Sequence, residues 1–500
     1  MPGGLTIGES ATVSKRTTRG ATKLRGGFIL VLSAAGALLA GCAANVSSTP
    51  PDLSLGENFV NAPVAGPVAG PVAELPQAWW TTFNDPQLTK LIETALKDNL
   101  TIEIAAARLE QAAFGVAAAR AQLGPQISGD AQAAVQRLSL EDPQLQLVGD
   151  LPGFDRVVER YGLSAGASWE IDLFGRLRAQ KREAVAQFAS AKAQREFAKL
   201  SIAAEVALTY FAVTELKERI DITQRQIAVL DDLDRLTRLT VERGLAAPLQ
   251  SDRTTAELEG LRAVLPALQT EFNGAQYRLS VLLGESPRAA LLGEDGLALP
   301  NAPAFQYATT PAQLLRGRPD IVAVERQIAA ASAGVQKAIA ERYPRLSIAG
   351  FVGFLAGDAF NLFGNRSLQA GSSADVSVPL FTSGQLKAGE GAARARLREA
   401  LAQYRLTALS AIAEVETALL GYEKQRDQLA AITKAASALD DATDRSRLAY
   451  RAGVIDLIDV LDVERRALET RERAIIAKAD LARRALDAFR SLGGGYSAPG

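Results

Sequence analysis

The chain has 500 residues, 48% of them hydrophobic and 22% charged, with 55 Lys and Arg against 56 Asp and Glu for a net charge of -1. That is enough apolar material for a core, without the bias of a disordered chain or of a polyanion-binding surface, so nucleic acid is not an expected partner. With no His and a single Cys, a Ser-His-Asp triad, a His-ligated zinc site, an internal disulfide and a thiolate cluster are all excluded. No metal or cofactor is expected, and only carboxylate chemistry stays open.

The N-terminus places Lys15, Arg16, Arg19, Lys23 and Arg25 before an apolar run from Phe28 to Ala40 that ends in Leu39-Ala40-Gly41-Cys42. Basic, apolar and small residues in that order predict a secretory signal over 1–41. The small residues before the Cys resemble the lipobox of bacterial lipoproteins, in which Cys42 becomes the lipidated first residue. A buried Cys in an uncleaved anchor is the other reading. Ala43, rather than Asp, follows the Cys, which resembles lipoproteins sorted onward to the outer membrane. Cleavage leaves 50 Lys and Arg against 55 Asp and Glu, a mildly acidic chain. No later run reaches the ~18 apolar residues of a transmembrane helix, so a mature chain in a membrane is expected to enter it as a β-barrel.

After Cys42, repeated Pro and Gly, as in Val64-Ala65-Gly66-Pro67-Val68-Ala69-Gly70-Pro71, predict an extended linker over 42–78. Folding begins near Trp79-Trp80, followed by Asp85-Pro86 and a helical run from Leu88 to Leu123. A strand is expected over 126–139 and a second over Tyr161 to Leu173. From Leu177 to Arg243 there is neither Gly nor Pro, and an unbroken helix of that length spans roughly 100 Å. Gly244 ends it and a return helix follows.

The same order then repeats. Ile102 to Pro125 corresponds to Ile321 to Pro344, Leu173-Phe174 to Leu380-Phe381, and Arg238-Leu239 with Gly244 to Arg447-Leu448 with Gly453. The copies are spaced by about 210 to 220 residues, far more than a solenoid repeat. The expected units are a first repeat over 79–285, an insert over 286–316, a second repeat over 317–490 and a tail over 491–500. In the last return helix Leu461, Leu468, Ile475, Ala482 and Phe489 recur every seventh residue, the pattern of coiled-coil packing.

The strand segments alternate. Leu368 to Leu380 puts Ala370, Ala374, Val376 and Val378 on one face and Gln369, Ser373, Asp375 and Ser377 on the other, and the other strands, expected over 126–139, 161–173 and 345–356, complete two pairs. Such a dyad fits a transmembrane strand or a half-buried soluble sheet. Four strands cannot close a membrane barrel alone, so association of several chains is expected.

The residues resemble the TolC-type outer-membrane efflux proteins, and most closely the lipoprotein subgroup that serves resistance-nodulation-division (RND) pumps. The likeness rests on Trp79-Trp80 with Phe83 and Asp85-Pro86, Trp169-Glu170-Ile171-Asp172-Leu173-Phe174-Gly175, Arg318-Pro319-Asp320-Ile321, Val378-Pro379-Leu380-Phe381 with Gly384, and Tyr450-Arg451-Ala452-Gly453 with Leu461-Asp462. It implies a mainly α fold with a membrane β-barrel: a homotrimer whose strands make a twelve-stranded barrel and whose long helices make a twelve-helix periplasmic tunnel. The insert and the C-terminus contribute to an equatorial belt. The implied role is a passive exit duct with no catalysis, lipid-anchored in the outer membrane and partnered by a periplasmic adaptor (membrane fusion) protein and an inner-membrane RND-type transporter. The exit duct of a type I protein secretion system is the alternative, and a non-conducting periplasmic coiled-coil lipoprotein a further one.

Gly244 and Gly453 read as left-handed C-caps of the long helices. By resemblance these turns form the periplasmic tip, where Arg243, Gly244, Leu245, Arg451, Gly453 and Val454 meet the adaptor. Asp456, Asp459 and Asp462 suit a helix N-terminus, where acids stabilise. The resemblance makes Asp459 and Asp462, with Tyr450, a periplasmic gate, two carboxylate rings that favour cations. Gln250 and Ile455 depart from relatives that carry Asp and Arg there. Glu170, Asp172 and Asp375 fall on the polar parity as pore-lining acids.

Overall fold

The computed structural model describes residues 49–51, 53, 56, 59–61, 76–139, 155–288, 291–293, 297–303 and 310–496. Cys42, the leader, most of the linker and parts of the insert and tail lie outside the described residues. The helical body is organised on an aromatic knot. Trp79 opens a short turn (Trp79–Phe83) and stacks on Phe489 at 5.9 Å, while Phe83 lies 5.2 Å from Phe211. Asp85 then starts helix α1 (Pro86–Asp98): its Oδ1 accepts from the backbone N–H groups of Gln87 and Leu88, and its Oδ2 accepts from the Tyr210 hydroxyl at 2.8 Å. One carboxylate thus caps a helix and satisfies a buried phenol.

The run expected from Leu88 to Leu123 is two helices, broken at Asn99. The Asn99 Oδ1 accepts from Thr101 N and Ile102 N to begin α2 (Leu100–Ala121), and its Nδ2 donates to Leu282 O at 2.7 Å. A buried amide must be satisfied, and breaking the helix there satisfies both of its ends.

Strands β1 (Gln126–Arg137) and β2 (Val157–Ile171) lead into α3 (Arg176–Glu242) and α4 (Pro248–Leu282). The second half supplies the short α5 (Pro311–Gly317), then α6 (Pro319–Ala340), β3 (Arg345–Ala356), β4 (Leu368–Ser377), α7 (Gln385–Arg451) and α8 (Leu457–Ser491). Equivalent helices match in length: 22 residues in α2 and α6, 67 in α3 and α7, and 35 in α4 and α8. Strand ends shift slightly from the expected ones, with β2 starting earlier and β4 stopping at Ser377. The hydropathy expectation is also corrected: α3 contains one window long and apolar enough to cross a membrane, and over half of that window is buried. Ala203, Ala204, Val206, Ala207, Tyr210 and Phe211 carry it as core, because α3 packs against α1, α2, α4, α6 and α8.

The four strands form one antiparallel sheet in the order β1-β2-β3-β4. Its register puts Ile127 with Ala167, Trp169 with Ile348, and Val352 with Ala370 on one face. The other face carries Ser128 with Gly166, and Glu170 with Ser347 beside Asp375. Among the described residues neither face is covered by a packed layer, and Ile127, Val352, Leu368 and Val376 are all exposed. A half-buried soluble sheet would hide its apolar face. This one leaves that face exposed, and β1 and β4 are open edges.

Candidate functional site

At the mouth of the sheet the predicted acids separate. Glu170 and Asp375 lie on the polar face on either side of Ser347, so two carboxylates share one level. Glu170 is held by Arg176, which donates from Nε at 3.1 Å and Nη2 at 2.8 Å, and Asp375 accepts from the Ser373 hydroxyl at 3.1 Å. Asp172 falls beyond the end of β2. It accepts from Leu177 N and Arg178 N at the start of α3. Gly175 occupies the N-cap position and has no side chain to offer, so Asp172 takes over the capping role.

At the opposite end, α3 and α7 close identically. Gly244 (φ +71) donates to Val241 O and Leu245 N donates to Thr240 O, both at 2.9 Å; Gly453 (φ +73) donates to Tyr450 O and Val454 N to Ala449 O, again at 2.9 Å. This is the six-to-one closure of a Schellman cap. Arg243 and Arg451 are exposed beside the caps. Leu245 and Val454 are 76% and 75% exposed. Each turn thus holds one aliphatic side chain out from the end of its hairpin.

The three acids after the second turn do different things. Asp459 is exposed, and its Oδ2 accepts from Asp456 N at 3.2 Å, a capping-box contact at the start of α8. Asp462 accepts from Arg465 at 3.0 Å and pairs with Arg466 at 2.9 Å. Those arginines stand at i+3 and i+4, a spacing that was readable from the sequence. Tyr450 is half-buried and gives its carbonyl to the cap. Gln250 and Ile455 sit at the two helix starts, half-buried.

Two polar locks lie just inside the turns and were not singled out from the sequence. In the first hairpin Asp234 on α3 accepts from Thr254 and Thr255 on α4 at 2.8 and 2.9 Å and from Arg238 at 2.7 Å. Burial pushes the Asp234 carboxyl up, but the hydrogen bonds from Thr254, Thr255 and Arg238 outweigh it and hold the group below the ordinary carboxylate range. In the second hairpin Arg447 on α7 donates to Glu464 on α8 at 2.5 Å. That hydrogen bond raises the Arg447 guanidinium pKa against the opposing effect of burial. The matching of Arg238 with Arg447 between the repeats was the available signal.

A family model described as outer membrane efflux protein matches residues 91–285 and 310–494. The pyoverdine export outer membrane protein OpmQ of Pseudomonas putida is 30% identical over 464 residues, covering 90% of this chain and 94% of that protein. Among solved structures, the outer-membrane channel OprN aligns with a TM-score of 0.78 at 28% identity, over 90% of this chain and 99% of OprN. The open state of the MtrE outer membrane channel of Neisseria gonorrhoeae gives a TM-score of 0.78 at 26% identity, over 90% of this chain and 97% of that one.

Proposed function

The chain belongs to the outer membrane efflux protein family, and on that premise we propose that it hands small amphiphiles from an inner-membrane RND-type transporter, through a periplasmic adaptor, to the cell exterior. As a family member it is an outer-membrane channel reaching into the periplasm, a passive duct and not an enzyme. Three copies join the open edges of β1 and β4, which closes the barrel without leaving backbone donors facing lipid.

The observation that supports the adaptor reading is the pair of tips. Leu245 and Val454 stand exposed immediately after their glycine caps, flanked by Arg243 and Arg451. A matching adaptor hairpin buries the aliphatics and meets the arginines. Flow is controlled nearby, at Asp459 and Asp462 with Tyr450, where three-fold repetition makes two rings of carboxylates. Arg465 and Arg466 partly offset the ring of Asp462. Cys42 carries the lipid that holds the assembly to the inner leaflet of the outer membrane.

Three experiments test this. Leu245→Asp with Val454→Asp is expected to abolish site-specific cross-linking to the adaptor while heat-resistant trimers persist; undiminished cross-linking refutes the tip assignment. Asp459→Ala with Asp462→Ala is expected to raise conductance or weaken cation preference in a reconstituted channel, and no change in either removes the gate from these residues. Deleting the gene is expected to increase accumulation of dyes and drugs. A selective block of protein export instead favours the type I secretion reading.

A further inference from the structure

The loop that joins β3 to β4 is tightly bonded and yet holds its aromatic side chains outward. Asp358 accepts from Phe360 N at 3.0 Å and from Asn361 Nδ2 at 3.1 Å, which starts a short 3-10 turn (Ala359–Asn361). Asn361 O accepts from Gly364 N at 3.0 Å and from the Ser367 hydroxyl at 2.6 Å, and Ser367 O accepts from Leu355 N at 2.8 Å. Within this frame Phe360 is 98% exposed and Phe363 69%. Residues three apart in such a turn share a side, and Phe363 packs edge-on against Phe354 at 5.6 Å. Phe354 lies two residues beyond Val352 on the apolar face of the sheet, so the loop leans over that face and away from the polar one.

Amphipathic aromatics bracket the same face. Trp169 marks the end next to the helices, its indole donating to Leu123 O at 2.9 Å, and Tyr161 marks the far end, its hydroxyl donating to Glu159 at 3.1 Å. The stretch of tilted strand between them spans roughly 20 Å, close to the apolar band of a membrane barrel. Beyond that band the charges at the rim are unbalanced. Its acids are engaged: Asp155 accepts from Val157 N, Glu159 from Tyr161, and Asp358 from its own loop. Arg137, the last residue of β1, and Arg366 are exposed, and among the described residues neither has an acidic partner. Strand β1 runs away from the helices and β4 runs back. Closure of the trimeric barrel therefore sets the Arg366 end of one copy beside the Arg137 end of the next.

We propose that this rim binds the phosphorylated glycolipid of the outer leaflet: Phe360 and Phe363 enter its acyl region, while Arg366 and the Arg137 of the adjoining copy grip its sugar phosphates. A guanidinium fork matches phosphate oxygens, and aromatic rings favour the level where acyl chain meets headgroup. The rigid loop holds both Phe side chains ready, so little ordering is lost on binding. The site is complete only where two copies meet, and a bound lipid bridges each seam from outside. The proposal rests on the reading of the sheet as part of a membrane barrel.

Spin labels test the insertion. In a Cys42→Ala background, Val352→Cys reports the middle of the apolar face and Phe360→Cys reports the loop, each in trimers reconstituted into vesicles of phosphatidylglycerol with lipid A, the phosphorylated glycolipid itself. Both labels are expected to meet dissolved oxygen more readily than a water-soluble nickel chelate. A Val352 label open to nickel sinks the membrane reading and the proposal with it. Val352 in lipid with Phe360 in water overturns the loop insertion alone. For the phosphates, native mass spectrometry counts lipid A retained on trimers in mild detergent. Arg137→Gln with Arg366→Gln is expected to lower that retention by about tenfold or more, as lost charge-assisted pairs imply, with heat-resistant trimers intact. Dephosphorylated lipid A is expected to bind the parent as weakly, and inorganic phosphate is expected not to displace the lipid. Equal retention by parent and variant, equal retention of both lipid A forms, or displacement by inorganic phosphate overturns the clamp.

Discussion

At the start of α2, Asn99 donates to the carbonyl that ends α4, and at the start of α6, Arg318 donates to the carbonyl that ends α8: Leu282 O at 2.7 Å and Ser491 O at 2.9 Å. One junction uses a neutral amide. The other uses a buried guanidinium that also holds Asp320 at 2.7 Å and Glu414 at 2.9 Å. Just beyond each return helix, a left-handed glycine, Gly284 (φ +77) or Gly493 (φ +89), lies against the carbonyl of Asp98 or Gly317. The two halves therefore share backbone geometry and differ in side-chain chemistry. Close backbone approach admits one residue type, whereas a carbonyl accepts from any donor that reaches it.

The strongest way to break that comparison is at the glycines. Gly284→Ala and Gly493→Ala should each cost about 3 kcal/mol or more, since left-handed strain and overpacking add. Loss of heat-resistant trimer is the readout, and tolerance at either position would mean the junctions are not equivalent. Next come the caps. Arg318→Met should cost about 3 kcal/mol, because buried acceptors and part of an ion network are left unpaired, while Asn99→Ala should cost about 1–2 kcal/mol. Burial pulls the Arg318 pKa down, and the bonds to Asp320 and Glu414 more than reverse that, so Lys, lacking the fork, should rescue poorly. Equal melting shifts for the Arg318 and Asn99 variants would erase the distinction.

A smaller effect is expected at the tips. A Cβ on Gly244 or Gly453 meets nothing within 4 Å, so Ala there should cost about 1 kcal/mol from backbone strain alone. Thermal unfolding of the paired variants should show matching shifts well below those at Gly284 and Gly493. The smallest effect concerns pH. The folded Asp234 carboxyl titrates below its unfolded value, so its contribution is complete above about pH 4 and fades as pH falls through the folded pKa. Hydrogen exchange in the first hairpin should therefore accelerate only in acid, and Thr254→Val should move that onset upward in pH. An unmoved onset would remove Thr254 from the lock.

Much of this was legible in the chain. The absence of Gly and Pro from Leu177 to Arg243 marks α3 to within a residue or so at each end, and the parity of Leu368 to Ser377 gives the two faces of β4. Both signals are local, because helix breakers and alternation act through neighbouring residues. Gly244 and Gly453 were readable as caps for the same reason. The capping role of Asp172 was not legible, because parity was followed past the end of the strand, where a helix N-terminus lacking a capping side chain draws the carboxylate in. The break at Asn99 was hidden in a run of good helix formers, since its justification, Leu282 O, lies 183 residues away.

Sequence alone determined the span of α3, the strand faces, the duplication and the exclusion of His- and thiolate-based chemistry, since each depends on composition or on patterns read along the chain. Tertiary structure decided what each carboxylate does. Asp172 caps, Asp462 is paired with arginines, Asp234 closes its own hairpin and Glu464 joins two. A carboxylate can accept several hydrogen bonds, and which donors reach it depends on helices brought together from distant parts of the chain.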